Sequence, residues 1–543
     1  MTDRVIIYGL SSVGIRIADF LKSAGRDVVL VAGTEHSTLL HAAEDKGLRI
    51  IRADLDDFKV LNTLDLGSAQ SLILPTDDEL FNLQAALHAV DLNPGIRVVL
   101  RLFNLNLARK LEESVGNFRV LSVSQVSSPS FTASSLLHKS ILAFELNKTI
   151  LSLYETTGKA FAGTTVAGIE QGGHARVVAL NHTLFPGEHA LVSADDTLTL
   201  FSFCSFARTV SGLAENKPAA RSGTWRGWSF AGLAAAFKRL DRIMVGAIAL
   251  LLSLVALAVL ALHYSEQFGY FNAAYVVFAM LTSGGFEDIA FRDYHTLSKA
   301  LIMLLMVSGV TLVAFLFAGV SDVLIKKRFD LMMGRKRQKA KGHVILCGAG
   351  DVGFRILEDL LVLGEKVVVI EKNSDGKYVH TISQRNVPMM IADATLEESL
   401  VNANISQAKS IICATDDDMR NLEIGLNARS FNPDIRVVLR IFDKEFAEKI
   451  EKRFNIHTAL SSSSIAAPAF SSAATDMDII NTVTVSNALL VLKERIVRKD
   501  EAGCVAGSPG KKPLLIVRNG TDFIMNRESA AREGDRLIYL EKA

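Results

Sequence analysis

The chain has 543 residues, which is enough for three or four domains of about 150 residues each. A hydrophobic fraction of 49% beside 59 basic and 58 acidic residues indicates a membrane part and water-exposed parts in one chain. The net charge of +1 and the four scattered cysteines lack the patterns of nucleic-acid binding and of a metal site, so we expect neither.

Two distant parts of the sequence match each other. Residues 5–36 align without a gap with residues 344–375, an offset of 339 residues. The same offset pairs VVLR at 98–101 with VVLR at 437–440. A match that keeps its register over this distance predicts an internal duplication.

Both copies alternate apolar runs with segments of helical period, as in VILCG at 344–348. This alternation is typical of βαβ units around a buried parallel sheet. We therefore predict a multi-domain fold, in which two α/β Rossmann-like domains, each with a small α+β appendage, flank an α-helical two-span membrane domain. The predicted Rossmann-like domains are 1–140, here the first copy, and 342–475, the second copy. The predicted appendages are 141–210 and 476–543.

The sequence predicts a membrane domain in the middle of the chain, at 243–325. Residues 243–262 form an uncharged apolar stretch of 20 residues, about the length that a ~30 Å hydrocarbon core requires. Residues 300–324 form a second stretch, interrupted only by Asp322. Basic residues before the first span and after the second place both flanks in the cytoplasm by the positive-inside rule.

The ends of the chain and the linkers follow from this layout. The N-terminus lacks the apolar core of a signal peptide, so we expect a multi-pass protein in the lipid bilayer of the cytoplasmic (inner) membrane, with both termini cytosolic. Residues 211–242 are expected to contain either an interfacial helix or an ordinary linker helix. Residues 326–341 link the second span to the second copy.

A short loop at 270–290 lies between the two spans. It holds an apolar helix-like stretch followed by a glycine-containing turn. Span, short helix, glycine loop and span in this order resemble the two-span potassium-channel pore, in which backbone carbonyls replace the water shell of the ion. The resemblance implies a selectivity filter formed by Thr282, Ser283, Gly284, Gly285, Phe286, Glu287 and Asp288. Gly284 and Glu287 depart from the usual filter pattern, which leaves a non-selective cation channel open as an alternative.

A glycine motif follows the first strand pattern of the second copy. Gly348, Gly350 and Gly353, with Asp351 and Val352 between them, complete G-x-G-x-x-G between a strand and a helix. Glycines at these positions permit a diphosphate to approach the helix N-terminus. Glu371 follows 18 residues after Gly353, where an acid binds the ribose hydroxyls of a dinucleotide.

The first copy keeps only part of this motif. It has Gly9 and Gly14, but Ser11 replaces the second glycine and Ala32 replaces the ribose acid. We expect nucleotide binding in the first copy to be weakened or lost, with the fold retained for assembly.

The motif, together with IADAT at 391–395, ATDDDMRNLE at 414–423 and NPDIRVVLRIF at 432–442, resembles the regulator-of-potassium-conductance (RCK) or TrkA N-terminal family. The resemblance implies a small-molecule regulator, namely NAD(H), an adenine nucleotide or a divalent ion, with Asp393, Thr415 and Asp416 lining its cleft. It also implies paired domains beneath a homotetrameric pore. The adjacent aspartates also suit a helix N-cap, and cap and ligand contact are both open.

The leading functional hypothesis is a ligand-gated cation channel subunit with potassium as the expected ion, in which the linker 326–341 transmits gating. A Trk- or Ktr-type potassium uptake component is a second possibility, although such transporters carry four pore repeats in one chain. An NAD-dependent enzyme is the least favoured, because no histidine, acid or lysine constellation offers a catalytic site.

Overall fold

The computed structural model describes residues 4–33, 37–55, 57–137, 139–210, 242–281, 338–454, 456–475, 479–486, 488–499, 503–504, 510–520, 522–525 and 530–542, with scattered positions between 296 and 321. The chain divides into two compact units. One unit comprises Met1–Asn216 and Met333–Ala543, and the other comprises Lys217–Met332.

The first copy folds around a six-stranded parallel sheet with the order β3-β2-β1-β4-β5-β6. The central strands are buried on both faces because helices cover the sheet on each side, which explains their continuous apolar runs. The strands are β1 (Arg4–Tyr8), β2 (Asp27–Ala32), β3 (Arg49–Arg52), β4 (Ser71–Leu74), β5 (Arg97–Arg101) and β6 (Phe118–Leu121). The helices are α1 (Ser12–Ser23), α2 (Ser37–Asp45), α3 (Glu79–Leu92), α4 (Leu105–Ser114) and α5 (Val123–Leu136).

The first appendage is a five-stranded sheet in the order β10-β9-β11-β8-β7, with antiparallel pairing. Its strands are β7 (Lys139–Leu146), β8 (Thr149–Thr157), β9 (Ala175–Leu180), β10 (Thr183–Leu184) and β11 (Thr197–Phe203). Its helices are α6 (Val166–Gln171) and α7 (Cys204–Val210).

The second unit contributes two described helices, α8 (Arg242–Glu266) and α9 (Tyr270–Leu281). They pack through a small apolar cluster that includes Ala258, Leu262 and Val277. Among the residues that the structure describes, none forms a helix with both the length and the apolar character needed to cross a membrane. The spans at 243–262 and 300–324 stay predictions.

The second copy repeats the first in the order β14-β13-β12-β15-β16-β17, again parallel. Its strands are β12 (His343–Cys347), β13 (Val367–Glu371), β14 (Met389–Ile391), β15 (Ala408–Cys413), β16 (Arg436–Arg440) and β17 (Thr458–Leu460). Its helices are α10 (Asp351–Val362), α11 (Val379–Gln384), α12 (Glu397–Asn402), α13 (Asp418–Phe431), α14 (Lys444–Phe454) and α15 (Ser462–Thr475). The predicted pair of Rossmann-like domains with parallel sheets is therefore confirmed.

The second appendage contains an antiparallel sheet in the order β18-β19-β24-β21-β22 and a separate pair, β20 with β23. Its strands are β18 (Ile479–Val485), β19 (Ala488–Ile496), β20 (Gly503–Cys504), β21 (Lys511–Arg518), β22 (Asp522–Ile524), β23 (Ala530–Ala531) and β24 (Arg536–Lys542). The two appendages share one core, in which Leu151 and Phe201 of the first belong to the same cluster as Leu490 and Ile538 of the second.

The last helix of each copy packs on the other copy. Helix α5 lies against α10, and helix α15 lies against α1, where Phe470 shares a core with Ile17. Arginines fix both crossings, since Arg97 donates to the carbonyl oxygen of Ala474 across 3.4 Å and Arg436 donates to that of Ser134. Cations at a helix C-terminus satisfy carbonyl groups that lack a partner within the helix. The two copies therefore interlock and bring their clefts close together.

Candidate functional site in the second copy

The glycine motif forms a tight turn between β12 and α10. Gly348 has φ +94°, a left-handed conformation that favours glycine. A Cβ atom at Gly353 would lie 2.1 Å from the carbonyl oxygen of Gly348, so helix and strand approach too closely for any side chain there. At Gly350 a Cβ atom would meet nothing within 4 Å, and the helix has no side-chain cap. The turn therefore leaves the N-terminal amides of α10 approachable from the cleft.

Glu371 stands at the end of β13, beside the glycine turn. Its carboxylate accepts hydrogen bonds from the backbone N–H of Ala349, at 2.6 Å, and of Asn373, at 2.9 Å. These two bonds hold the side chain at the rim of the cleft, where the motif predicts a ribose-binding acid.

Asp393 follows β14 on the same side of the sheet. It pairs with Lys372 at 2.8 Å and accepts from the hydroxyl of Thr395 at 2.7 Å. The hydrogen bond from Lys372, and those from Thr395, outweigh burial and lower the pKa of Asp393 to about 2. Asp393 is thus a charged carboxylate in the cleft under all physiological conditions.

The Thr415 segment forms the other wall. The hydroxyl of Thr415 donates to the side-chain oxygen of Asn421 at 2.7 Å, and its backbone N–H donates to the same atom at 3.0 Å. Asp417 caps α13 by accepting from the N–H of Met419 and of Arg420. Asp417 is therefore the helix cap, while Asp416 is exposed and lines the cleft. The cap that the sequence left open is thus formed by Asp417, and ligand contact by Asp416 stays a prediction.

These groups surround a cavity of about 750 Å³. Most of the predicted ligand residues line this cavity. Gly353 does not line it, but it permits the close packing of α10 against the glycine turn. The predicted residues that line it are Gly348, Gly350, Asp351, Val352, Glu371, Asp393, Thr415 and Asp416. Val352 is also part of the apolar core, which anchors the first turn of α10. In the described part of the chain, no cluster of three or more His, Cys, Asp or Glu side chains could hold a metal ion.

The first copy contributes to the same cavity, which the sequence did not predict. Thr76, Asp77, Arg101, Phe103 and Ser122 all line it. The ring of Phe103 lies 5.5 Å from that of Tyr378, and Lys377 lies 4.5 Å from the centre of the Phe103 ring. The hydroxyl of Tyr378 in turn donates to Asp351 at 2.5 Å. Only the crossing of the terminal helices brings these groups together, and local sequence patterns carry no signal for it.

In the first copy, side chains occupy the space beside the corresponding turn. Ser11 donates to the carbonyl oxygen of Pro75 at 2.9 Å and accepts from the N–H of Gly14 at 3.0 Å, so its hydroxyl caps α1. The ring of Tyr8 is fully buried and stacks on Phe81 at 5.8 Å. A Cβ atom at Gly9 would lie 2.2 Å from the methyl group of Thr76. The loss of nucleotide binding in the first copy stays a prediction.

The predicted selectivity filter, Thr282 to Asp288, lies outside the described residues. Its role as an ion-binding site stays a prediction.

Comparison with known families identifies both Rossmann-like domains. Each matches the TrkA-N domain, over residues 5–123 and 344–462. The chain therefore contains two TrkA-N domains, and the resemblance seen in its motifs is confirmed for both copies.

Two of the relatives are potassium channel proteins of Methanocaldococcus jannaschii. Probable potassium channel protein 2 is 27% identical over 192 residues, or 34% of this chain and 55% of the relative. Potassium channel protein 1 is 27% identical over 220 residues, or 39% of this chain and 64% of the relative. The matches thus span between about half and two thirds of these proteins.

Among solved structures, the GsuK channel matches with a TM-score of 0.52 and 15% identity, over 100% of this chain and 77% of that chain. At this identity the likeness shows the fold alone.

Proposed function

We propose that this chain is a subunit of a nucleotide-gated cation channel in the cytoplasmic membrane, with potassium as the conducted ion. The observation that carries the proposal is the cleft of the second copy, where the glycine turn, Glu371 and the cavity suit an adenine nucleotide or NAD(H). The names of the relatives support conduction of potassium.

The middle of the chain supplies the pore in this proposal, with spans at 243–262 and 300–324 and a filter at Thr282 to Asp288. Exposed apolar side chains on both described helices support a lipid environment. Leu252 is 62% exposed, Phe271 85% and Phe278 68%. Such a density of exposed apolar groups is costly in water and is what a bilayer covers.

The segment 326–341 couples the cleft to the second span. The described end of this segment is held by the second copy, since Gln338 N–H donates to the carbonyl oxygen of Asn402 at 2.7 Å and the Asn404 side chain donates to that of Ala340 at 2.7 Å. A ligand gates the pore to the extent that it binds one arrangement of the two copies more tightly than the other. Any such change in the second copy acts directly on this anchored linker.

A flux experiment tests the proposal. The full-length protein is reconstituted in liposomes, and potassium flux is measured with and without adenine nucleotide or NADH. We expect flux that responds to nucleotide and disappears in a Gly285→Asp variant, because a carboxylate side chain would obstruct the filter. Absence of flux with every ligand would contradict the channel.

Ion selectivity is tested in the same liposomes. Glu287 places a carboxylate in the filter of each subunit, so mixed potassium and sodium gradients distinguish a potassium channel from a non-selective cation channel. We expect Glu287→Gly to increase the preference for potassium. The native mass separates a tetrameric channel from a Trk- or Ktr-type uptake component, for which a dimer is expected.

A further inference from the structure

Three charged side chains connect the last helix of the first appendage to the second copy. Glu365 follows α10, and its side chain is 5% exposed. Its carboxylate pairs with Arg208 of α7 at 2.5 Å and with Lys409 of β15 at 2.5 Å. Apolar packing supports the same contact, since Ala207 shares a core cluster with Leu360. A buried carboxylate with a charged partner on each side has little freedom to move, so this Glu365 cluster fixes the end of α7 to the second copy.

The Glu365 cluster lies at the edge of the sheet where the parallel strands of the second copy begin. Glu365 comes just before β13, and Lys409 lies in the first turn of the backbone into β15. Strand β12 begins beside them, since the N–H of Val344 donates to the carbonyl oxygen of Lys366 at 2.8 Å. The ligand cleft lies at the opposite edge, after the carboxyl ends of the same strands.

Both segments that lead to the predicted membrane domain start from this edge. The segment 211–242 continues from α7, and the segment 326–341 ends in front of β12. The second of these is held at the edge by Gly342, whose N–H donates to the carbonyl oxygen of Gln407 at 2.8 Å. A change in the second copy therefore reaches both segments, provided that the Glu365 cluster holds α7 in place.

The repeat does not keep the charges of the cluster. In the first copy, Arg26 takes the place of Glu365, and Gln70 takes the place of Lys409. The acid and its lysine thus belong to the copy that α7 packs on, which favours a role specific to that contact over a general requirement of the fold.

We propose that the Glu365 cluster is a second coupling point of the channel, at which the second copy acts on the first predicted span through α7 and the segment 211–242. This inference rests on the proposed nucleotide-gated channel and adds a route to gating beside the segment 326–341. Arg208 and Lys409 are positioning residues, because they hold α7 and do not line the ligand cavity.

Potassium flux in liposomes and calorimetric titration of the same full-length variants test the inference, with adenosine diphosphate and NADH as probes. In Arg208→Gln the ratio of flux with nucleotide to flux without it should move towards one by about fivefold or more, as loss of the coupling between two sites does. Nucleotide affinity should change by less than about twofold, because the cleft is untouched. Arg208→Lys keeps the charge and should restore most of the response. A glycine insertion after Val210, which leaves the cluster intact and slackens the connection, should reduce the response in the same way.

The matched control is Arg536→Gln. Arg536 pairs with Glu494 within the second appendage, and its side chain is 33% exposed, as is that of Arg208. We expect this variant to keep both nucleotide affinity and the flux response of the wild type.

The outcomes separate the inference from the proposed function. A wild-type flux response in Arg208→Gln, or an equal loss in Arg536→Gln, overturns the inference and leaves the channel intact. Loss of nucleotide affinity in Arg208→Gln also overturns it, because the cluster would then act on the cleft and not on the connection. Absence of nucleotide-dependent flux in the wild type removes the proposed function and the inference with it. If Arg208→Gln does not fold, as thermal melting would show, the insertion after Val210 decides the question, and an undiminished response there overturns the inference.

Discussion

Gly350 and Ser11 occupy the same position in the two copies and have opposite effects on the cleft. The serine hydroxyl caps α1 and covers the amides that a phosphate would approach, whereas the glycine leaves those of α10 accessible. One side chain thus determines whether the helix N-terminus is capped or left open to the cleft. The loss of a motif glycine was visible in the sequence, and its structural consequence is this cap.

Gly350→Ser in the second copy is expected to reduce nucleotide affinity by at least about tenfold, because the hydroxyl occupies the phosphate position. Thermal stability should be unchanged or slightly higher, since a serine cap is only a few tenths of a kcal/mol better than glycine. Calorimetric titration and thermal melting measure the two effects. The control is the mirror change Ser11→Gly, which leaves Tyr8 stacked on Phe81 and should not alter nucleotide binding. Equal affinity of Gly350→Ser and wild type would contradict the assignment of the phosphate position.

Helices α5 and α10 meet at a buried acid, which makes their contact sensitive to pH. Asp359 on α10 is 8% exposed and accepts a hydrogen bond from Thr132 of α5 at 3.4 Å. Burial raises the pKa of Asp359 from 3.8 to about 7. The hydroxyl of Ser128 opposes the rise, and the negative charges of Glu145 and Glu358 add to it. The interface is therefore most stable while this carboxyl is protonated.

The folded state holds the proton of Asp359 up to about pH 7, and the unfolded chain releases it near pH 4. The free energy of unfolding should therefore fall as the pH rises from about 4 to about 7 and remain low above that range. Asp359→Asn removes this dependence, and we expect it to stabilise the protein at pH 8 by on the order of 2–4 kcal/mol and to leave pH 4 nearly unchanged. Denaturant unfolding over this pH range is the measurement. Asp434→Asn, at an exposed turn, is the control, and parallel pH curves for wild type and Asp359→Asn would refute the prediction.

A buried ion cluster joins the two appendages. Glu170 is 1% exposed, and its carboxylate pairs with Arg176 at 3.1 Å and with Lys512 of the second appendage at 2.6 Å. Arg176 also donates to the carbonyl oxygen of Pro513. Removing one partner of a buried pair leaves charge without compensation.

Lys512→Met is expected to lower the free energy of unfolding by about 2–4 kcal/mol, because the buried carboxylate of Glu170 then keeps only Arg176 as a charged partner. The adjacent Lys511→Met is the control. Its partner Glu541 is partly exposed and keeps Lys493 as a second partner at 3.2 Å, so the expected loss is about 1 kcal/mol or less. Thermal and chemical unfolding of both variants compare the two sites. Similar losses would show that the cluster contributes no more than a surface ion pair.

At the scale of the whole molecule, the sequence predicted the repeat, the parallel sheets and the glycine turn, because each leaves a local pattern. It did not predict that α5 and α15 each pack on the other copy, or that Arg101 and Phe103 line a cleft in the other half of the chain. Those features depend on contacts between residues hundreds of positions apart. In the same way, the sequence predicts only that Tyr8 and Phe81 are core residues, and it does not predict that their rings stack on each other.

The duplication also repeats an apolar surface. Leu80 on α3 and Met419 on α13 are equivalent in the repeat, and each is 64% exposed. Leu87 and Leu426 follow seven residues later on the same helices, at 47% and 36% exposure. Residues seven apart lie on one face of a helix, so each copy presents an apolar stripe. Stripes of this kind on both copies suit contacts with further subunits and support the proposed homotetramer.

We expect a Leu87→Asp, Leu426→Asp double variant to lose the tetrameric state, because a carboxylate on each stripe must be desolvated for subunits to meet. The folded subunit should remain, since both side chains face outward in the described structure. Native mass measurement in detergent gives the oligomeric state, and circular dichroism reports the fold. Val362→Asp, which changes a more exposed apolar residue at the end of α10, is the control and should remain tetrameric. A tetramer that survives the double change would place the subunit contacts elsewhere, and loss of the tetramer together with nucleotide-dependent flux would link assembly on these helices to gating.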